Sequence, residues 1–501
     1  KRSLAKICAQ GRFWIHPHFE AFSLSALEAA SYGLPIIIPK KSGITELFKD
    51  GIHGYFPEKL TVAKIKELSN KLLQDEKLAT VMGINAALVV QKYHTPKTRA
   101  IQLASLISKI HAKKPQRIIA LETGHVGHVG LAGGDHLFEK MARRLKVNHQ
   151  INVIIPQQAA IHWKNLEREV KLWPLTKSAL DNTNNPFLIL LIYLIRSFKS
   201  FMIIRRFPPS TIIYSSTEVL PDVLPAYLLK VISSHFFWIA RVHHLWLPTT
   251  SRPGNRLVNL ASSSLQSLIL KLIKNQADLV LALNPRLKSQ VIKMGFQPQK
   301  TKILGGGVDF AAISNFKSKT AKIYDAVFLG RIHPTKGIYD LPPIWKMVTS
   351  QIPHASLAII GPGSQPAIAD LASKIRKYNL QNSITILGFL PQYSVWSYLK
   401  NAKVFLFTDH EAGFGLAVAE AMAAGLPIVG WDIGILGIVY RQGYIKVPIP
   451  NHNQFALAII KLLRDARVHH RIARLALSEA ARHDWQIASR KFESILDKIS
   501  L

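Results

Sequence analysis

The sequence predicts an α/β protein with two doubly wound, Rossmann-like domains facing across a cleft, preceded by a partial segment of the same kind. Three observations carry this. Short Val/Ile/Leu/Phe runs alternate with amphipathic stretches from about residue 115 onward, as expected of parallel strands buried on both faces. The runs fall into two successive series. A segment near the start of the chain also recurs near its end, which marks an internal repeat.

The first series gives candidate strands at 117–121, 151–155, 211–214, 237–242 and 278–282. The second gives 326–330, 356–361, 384–387, 403–408 and 427–430. The repeat relates residues 13–36, FWIHPHFEAFSLSALEAASYGLPI, to residues 405–428, FLFTDHEAGFGLAVAEAMAAGLPI, at an offset of 392. It matches Phe22 with Phe414, Glu28 with Glu420 and Gly33-Leu34-Pro35 with Gly425-Leu426-Pro427. The chain therefore reads as the tail of one unit joined to a complete second one, with the join near 96–116. The expected organisation is a partial segment at 1–113, a first Rossmann-like domain at 114–307, a second at 308–480 and a C-terminal helix at 481–501.

The 64 Lys and Arg residues against 30 Asp and Glu give a net charge of +34 over 501 residues. Such an excess attracts phosphates, anionic lipid headgroups or nucleic acid. No aromatic-basic motif or Cys/His finger supports the last of these. A single cysteine, Cys8, offers no intrachain disulfide and fits a reducing compartment. The longest apolar run, Phe187–Ile195, is interrupted by Arg196 and Lys199. It is shorter than the roughly 20 residues of a spanning helix, and reads as a buried helix or as an interfacial one with a basic flank.

In doubly wound sheets, ligands bind beyond the C-terminal ends of the strands. After strand 326–330 comes Gly330-Arg331-Ile332-His333-Pro334-Thr335-Lys336-Gly337, whose Arg331 and Lys336 suit a diphosphate. After 356–361 comes Gly361-Pro362-Gly363, which lets backbone approach a ligand. After 403–408 comes His410-Glu411-Ala412-Gly413-Phe414-Gly415-Leu416, leading into a helix that carries Glu420. Glycines at a helix N-terminus free backbone N–H groups where phosphate is favoured. Glu420 sits among small apolar residues, where a carboxylate needs donors such as a ribose diol.

These two motifs together resemble the C-terminal domain of group 1, family 4 retaining glycosyltransferases of the GT-B fold. The resemblance extends over residues 115–501. It implies that Gly133 and Gly134 lie beside the donor phosphate and that His243, with His244 as its rival, faces the donor sugar. It implies that Arg331, Lys336 and the backbone of Gly413, Phe414, Gly415 and Leu416 hold the diphosphate, and that Glu420 holds the ribose. Gly305-Gly306-Gly307-Val308-Asp309 resembles the interdomain hinge, and Trp485 the start of a helix crossing back to the first domain. The family pairs two glutamates with seven residues between them, as Glu20 and Glu28 have here. In the second copy Ala412 stands at the matching position and Glu411 comes one place early. That puts the role of Glu411 in doubt and leaves a degenerate, non-catalytic binding module as the alternative.

The expected activity is sugar transfer from a nucleotide-sugar donor to a glycan or lipid-linked acceptor. No Asp-x-Asp occurs in the sequence, so no metal and no cofactor are expected. An anionic membrane surface is a candidate partner, and nucleic acid is not. The expected location is cytoplasmic, peripheral at the inner face of the membrane.

Overall fold

The structure, a computed structural model, describes residues 7–8, 10–95, 98–100, 103, 116–124, 133–145, 149–163, 170–183, 185–246, 256–318 and 323–499. The chain divides into two compact units, Lys1–Lys114 and Pro115–Leu501. The expected join near 96–116 lies almost wholly outside the described residues.

In the first unit, strands β1 (Trp14–Ile15), β2 (Ile36–Ile37) and β3 (Gly54–Tyr55) form a parallel sheet in that order. Helices α1 (Leu24–Ser31), α2 (Val62–Gln74) and α3 (Glu76–Tyr93) complete it. Ser23, Thr61 and Asp75 cap the three helices, each side-chain oxygen accepting a first-turn N–H. Ala26, Ala30, Ile36, Phe48, Phe56 and Ala86 share one small core.

The second unit holds two parallel sheets. The first contains β4 (Arg117–Leu121), β5 (Gln150–Pro156), β6 (Val170–Leu175), β7 (Thr211–Ser215), β8 (Phe237–Val242), β9 (Leu279–Ala282) and β10 (Thr301–Ile303). Its order is β10-β9-β8-β7-β4-β5-β6. The second contains β11 (Tyr324–Leu329), β12 (Leu357–Ile360), β13 (Ile384–Gly388), β14 (Ala402–Phe407), β15 (Ile428–Trp431) and β16 (Tyr444–Val447), in the order β13-β12-β11-β14-β15-β16. In both sheets the order reverses beside the first strand, giving a switch point between β4 and β7 and another between β11 and β14. A crevice opens at such points.

Within the second unit, three strands escaped the sequence reading: β6, β10 and β16. All three are sheet edges. Buried on fewer sides, they carry Lys171, Trp173, Pro174, Lys302 and Lys446 in place of apolar runs.

The helices that position the site are α4 (Gly133–Ala142), α5 (Pro186–Ile204), α6 (Leu220–Ile232), α7 (Arg256–Gln276), α8 (Pro285–Lys293), α9 (Leu341–Gln351), α10 (Gln365–Lys377), α11 (Gln392–Lys400), α12 (Leu416–Ala423), α13 (His452–Arg464), α14 (Ala466–Ala481) and α15 (Trp485–Leu496). Between the sheets runs Gly305-Gly306-Gly307. A side chain on Gly306 would meet the Phe414 ring at 2.8 Å, and one on Gly307 would meet the Trp485 ring at 2.7 Å. Val308 then pairs with the chain before α15: its N–H donates to the His483 carbonyl at 2.8 Å, and Trp485 N–H donates back at 3.1 Å. Helix α15 returns to the first sheet, where Gln116 Nε2 donates to the Leu496 carbonyl at 3.0 Å and His149 Nε2 lies 2.7 Å from Glu493.

Candidate functional site

The loops after β11 and β14 flank the switch point of the second sheet and are locked together by glycine. Gly337 has φ +62°, and a Cβ there would stand 1.9 Å from the Thr408 carbonyl oxygen. Only glycine fits both demands. Thr408 Oγ1 donates to the Lys336 carbonyl at 3.0 Å, and His410 N–H to the Thr335 carbonyl at 2.9 Å. Lys336 Nζ pairs with Asp409 Oδ2. Burial pushes the Asp409 carboxyl up, and the charge of Lys336 opposes that push. Arg331 is exposed on the same loop.

Behind the loops, Asp340 accepts from His410 Nε2 at 2.8 Å and Trp431 Nε1 at 3.0 Å. The hydrogen bond to Asp340 holds the His410 imidazole above its ordinary range.

The Gly361-Pro362-Gly363 loop departs from expectation. Gly361 is bare to admit the Gly330 carbonyl, which a Cβ would meet at 1.9 Å, and Pro362 accepts from Ile332 N–H at 2.7 Å. The backbone it accommodates belongs to the Arg331 loop.

Helix α12 begins at Gly415, in the left-handed region at φ +77°. Its first N–H groups have no carbonyl within the helix to bond. Phe414 contributes backbone only: its ring is buried against Gly306, Tyr440 and His483. Glu420, one turn into α12, makes no side-chain hydrogen bond among the described residues. It keeps some accessible surface, yet protein surrounds it. Burial pushes its carboxyl up to about 7, against the pull of Lys140 from α4; Asp309 adds to the rise. Lys140 and Arg144 both bind Asp309, at 2.9 Å and 2.6 Å. Gly133 and Gly134 open α4, and the loop preceding them, 125–132, lies outside the described residues.

At the end of β8, His243 and His244 converge on Glu218. Glu218 Oε2 accepts from His243 N–H at 3.0 Å and lies 2.9 Å from His243 Nδ1; Oε1 accepts from His244 N–H at 3.3 Å. Burial alone would raise the Glu218 carboxyl. The charge and hydrogen bond of His243 outweigh it and hold the group at about 2. An ionised Glu218 makes Nδ1 of His243 the donor. The opposite ring nitrogen, Nε2, is buried with no hydrogen-bond partner among the described residues. Burial lowers His244, and Glu218 opposes that effect.

His243 and His244 line a cavity of about 270 Å³ together with Trp246, Asn284, Glu411 and Gly413. The two sheets meet closely here. A Cβ on Gly413 would stand 2.3 Å from the His243 carbonyl, and Asn284 Nδ2 donates to the Gly413 carbonyl at 2.7 Å. The structure thus brings His243, His244, Glu411 and Gly413 to one cavity, with Lys336 on the loop bonded to its edge through His410. Arg331 and Glu420 do not line that cavity. Sequence reasoning assigned no role to Asp409 or Asn284, and placed Glu218 only within a loop resembling the one that opens the helix below the cleft in the family. An acid directly beyond the buried strand β7, in Ser215-Ser216-Thr217-Glu218, was the available signal.

Strand register corrects the matching of Ala412 with Glu20. In the first unit Trp14 pairs with Ile36; in the second, Phe405 pairs with Ile428. Measured from these strand partners, Glu20 and Glu411 both come six residues later. Measured from the helix caps, Ser23 and Gly415, Glu28 and Glu420 still correspond. The extra residue therefore sits between Glu411 and α12, where Gly413 and the left-handed Gly415 absorb it. Glu411 holds the strand-end place of Glu20.

The family model for glycosyl transferases group 1 matches residues 3–89 and 310–484, more than half of the chain. The chain belongs to the group 1 glycosyl transferases. Among relatives, an uncharacterized glycosyltransferase of Methanocaldococcus jannaschii is 27% identical over 263 residues, 50% of this chain and 63% of that protein. The 2-deoxystreptamine N-acetyl-D-glucosaminyltransferase of Niallia circulans is 27% identical over 202 residues, 39% of this chain and 51% of that one. The matches thus span between 51% and 63% of the length of these relatives. Among solved structures, the Anabaena protein HepE in complex with UDP and glucose superposes with a TM-score of 0.61 at 16% identity, covering 77% of this chain and 100% of that one. At such identity the likeness shows the fold, and that fold is GT-B: two Rossmann-like domains.

Proposed function

We propose that this group 1 member is a family 4 enzyme that moves a hexosyl group from a nucleoside-diphosphate sugar to a glycan or lipid-linked acceptor hydroxyl, retaining anomeric configuration. The observation that carries the reading is the shared cavity, where His243 from one sheet meets Glu411 and Gly413 from the other. The complex of HepE with UDP and glucose supports the donor class.

In this reading the bond between the anomeric carbon and the diphosphate oxygen breaks, and its electron pair leaves with the diphosphate. Arg331, Lys336 and the N–H groups opening α12 stabilise that charge, a large catalytic effect in a preorganised site. These cations serve where other transferases use a metal. Glu420 takes the ribose hydroxyls. Glu218 fixes the His243 ring so that Nε2 meets the donor sugar, and Glu411 stands beside it. The acceptor oxygen forms the new bond on the face the diphosphate leaves, and its proton passes to solvent or to the departing phosphate. Residues 3–89 match the same family model as residues 310–484 and carry a second copy of part of the nucleotide-sugar half.

Arg331→Ala combined with Lys336→Ala tests the proposal. Release of nucleoside diphosphate from UDP-, GDP- and ADP-sugars should fall about a hundredfold to a thousandfold. Unchanged turnover overturns the mechanism. The anomeric proton coupling of the product, read by NMR, decides retention.

A further inference from the structure

We propose that the outer face of α5, α6 and α7 docks on an anionic lipid bilayer. Helix α5 is 19 residues long; its most apolar 18-residue window has a mean hydropathy of 2.0, and only 28% of that window is buried. Phe187, Leu190, Leu191, Leu194 and Phe198 are 83%, 41%, 46%, 46% and 66% exposed. Their spacing of three, four and seven puts them on one helical stripe. Helix α6 packs beside α5 and α7 beside α6, and both add exposed apolar side chains: Val231 and Ile232 on α6, Leu257 and Leu260 on α7. An apolar area spread over three neighbouring helices marks an interaction surface.

Charge selects the occupant. Residues 176–277 contain three acidic side chains, Asp181, Glu218 and Asp222, and all three are buried. The exposed charges of this stretch are therefore cations, among them Lys177, Arg205, Arg206, Arg256 and Lys271. An apolar face on a stretch whose exposed charges are all cations complements lipid tails beneath anionic headgroups.

The helix lies along the surface and does not pierce it. Its inner side is bonded into the first domain: Arg196 donates to the Thr123 carbonyl and to Asp181, both at 2.7 Å, and Tyr193 Oη donates to the Gly124 carbonyl at 3.0 Å. Thr123 and Gly124 follow the end of β4, on the cleft side of the sheet. A docked face so placed would present the cleft to a lipid-linked acceptor; that step rests on the transferase reading, whereas docking does not.

The test is co-sedimentation of the full chain with vesicles of phosphatidylcholine alone and of an equal mixture with phosphatidylglycerol. Binding is expected to the mixed vesicles and to be released by high salt. Phe187→Ser, Leu191→Ser, Leu194→Ser and Phe198→Ser together should leave the chain in the supernatant, with circular dichroism unchanged because the positions are exposed. Arg205→Ala with Arg206→Ala should weaken binding about thirtyfold, from two basic residues at an anionic surface. Equal binding by all variants overturns the proposal. So does resistance to alkaline carbonate, which marks a spanning helix, or a dimer that the serine variant dissociates, which marks a second copy as the occupant.

Discussion

Helices α1 and α12 follow the same strand and loop, place a Phe two residues before their start and a Glu within their second turn, and end at glycines of φ +80° and +88°. Their surroundings differ. Phe22 is 41% exposed, whereas Phe414 is 4% exposed under the hinge glycines. Glu28 is exposed, whereas Glu420 is enclosed near Lys140 and Asp309 and pushed up to about 7 by burial. Ser23 caps α1 with its hydroxyl; Gly415 opens α12 in a left-handed turn. The shared motif builds a strand, a turn and a helix in both places. Among the described residues, the second helix start is enclosed by the hinge glycines, with Lys140 and Asp309 beside its glutamate.

Glutamate substitutions test this contrast most directly. Glu411→Ala and Glu420→Ala should each lower transfer about a hundredfold or more, whereas Glu20→Ala and Glu28→Ala should leave it unchanged. Equal losses in both regions, measured as product formed per minute, would erase the distinction.

The next effect concerns Glu218, which holds the His243 ring. Glu218→Ala frees the His243 ring and should lower kcat about a hundredfold while donor KM stays constant. Glu218→Gln keeps one acceptor for Nδ1 and should recover part of the loss. A constant kcat in the alanine variant, with the melting temperature reduced, would leave Glu218 a purely structural residue.

Deleting Ala412 restores the seven-residue gap found between Glu20 and Glu28. If strand register positions Glu411, the shorter loop displaces Gly413 from His243 and should cost about tenfold or more in kcat. A faster deletion variant would show that the gap, rather than the register, matters.

Much of the molecule is legible in the sequence, for a physical reason. Strands buried on both faces must be apolar throughout, so β4, β7, β8 and β11 announce themselves, while the edge strands β6, β10 and β16 do not. Arg331, Lys336 and Glu420 are legible because each charge stands directly after a buried strand or inside a small-residue helix. Glu218 and Asp409 are not, because their meaning depends on partners far along the chain, at positions 243 and 336. Spacing alone misplaces Glu411. Spacing counts residues, whereas the sheet fixes a side chain by hydrogen-bond register.

The smallest expected effect is a pH dependence confined to α12. Burial raises Glu420 to about 7, so the folded chain keeps a proton that the unfolded chain loses in the ordinary carboxylate range. This stabilising contribution is present at low pH and fades as pH rises toward 7. In the proposed reading donor binding runs the other way, because ribose hydroxyls would donate to the ionised carboxylate. The dissociation constant of the preferred nucleotide sugar should therefore fall about tenfold between about pH 6 and pH 8. Glu420→Gln should flatten that slope while leaving binding measurable, and Glu28→Gln should not alter it. Calorimetric titration across this range decides the matter: an undiminished slope in Glu420→Gln would assign the proton to another group and remove Glu420 from the ribose.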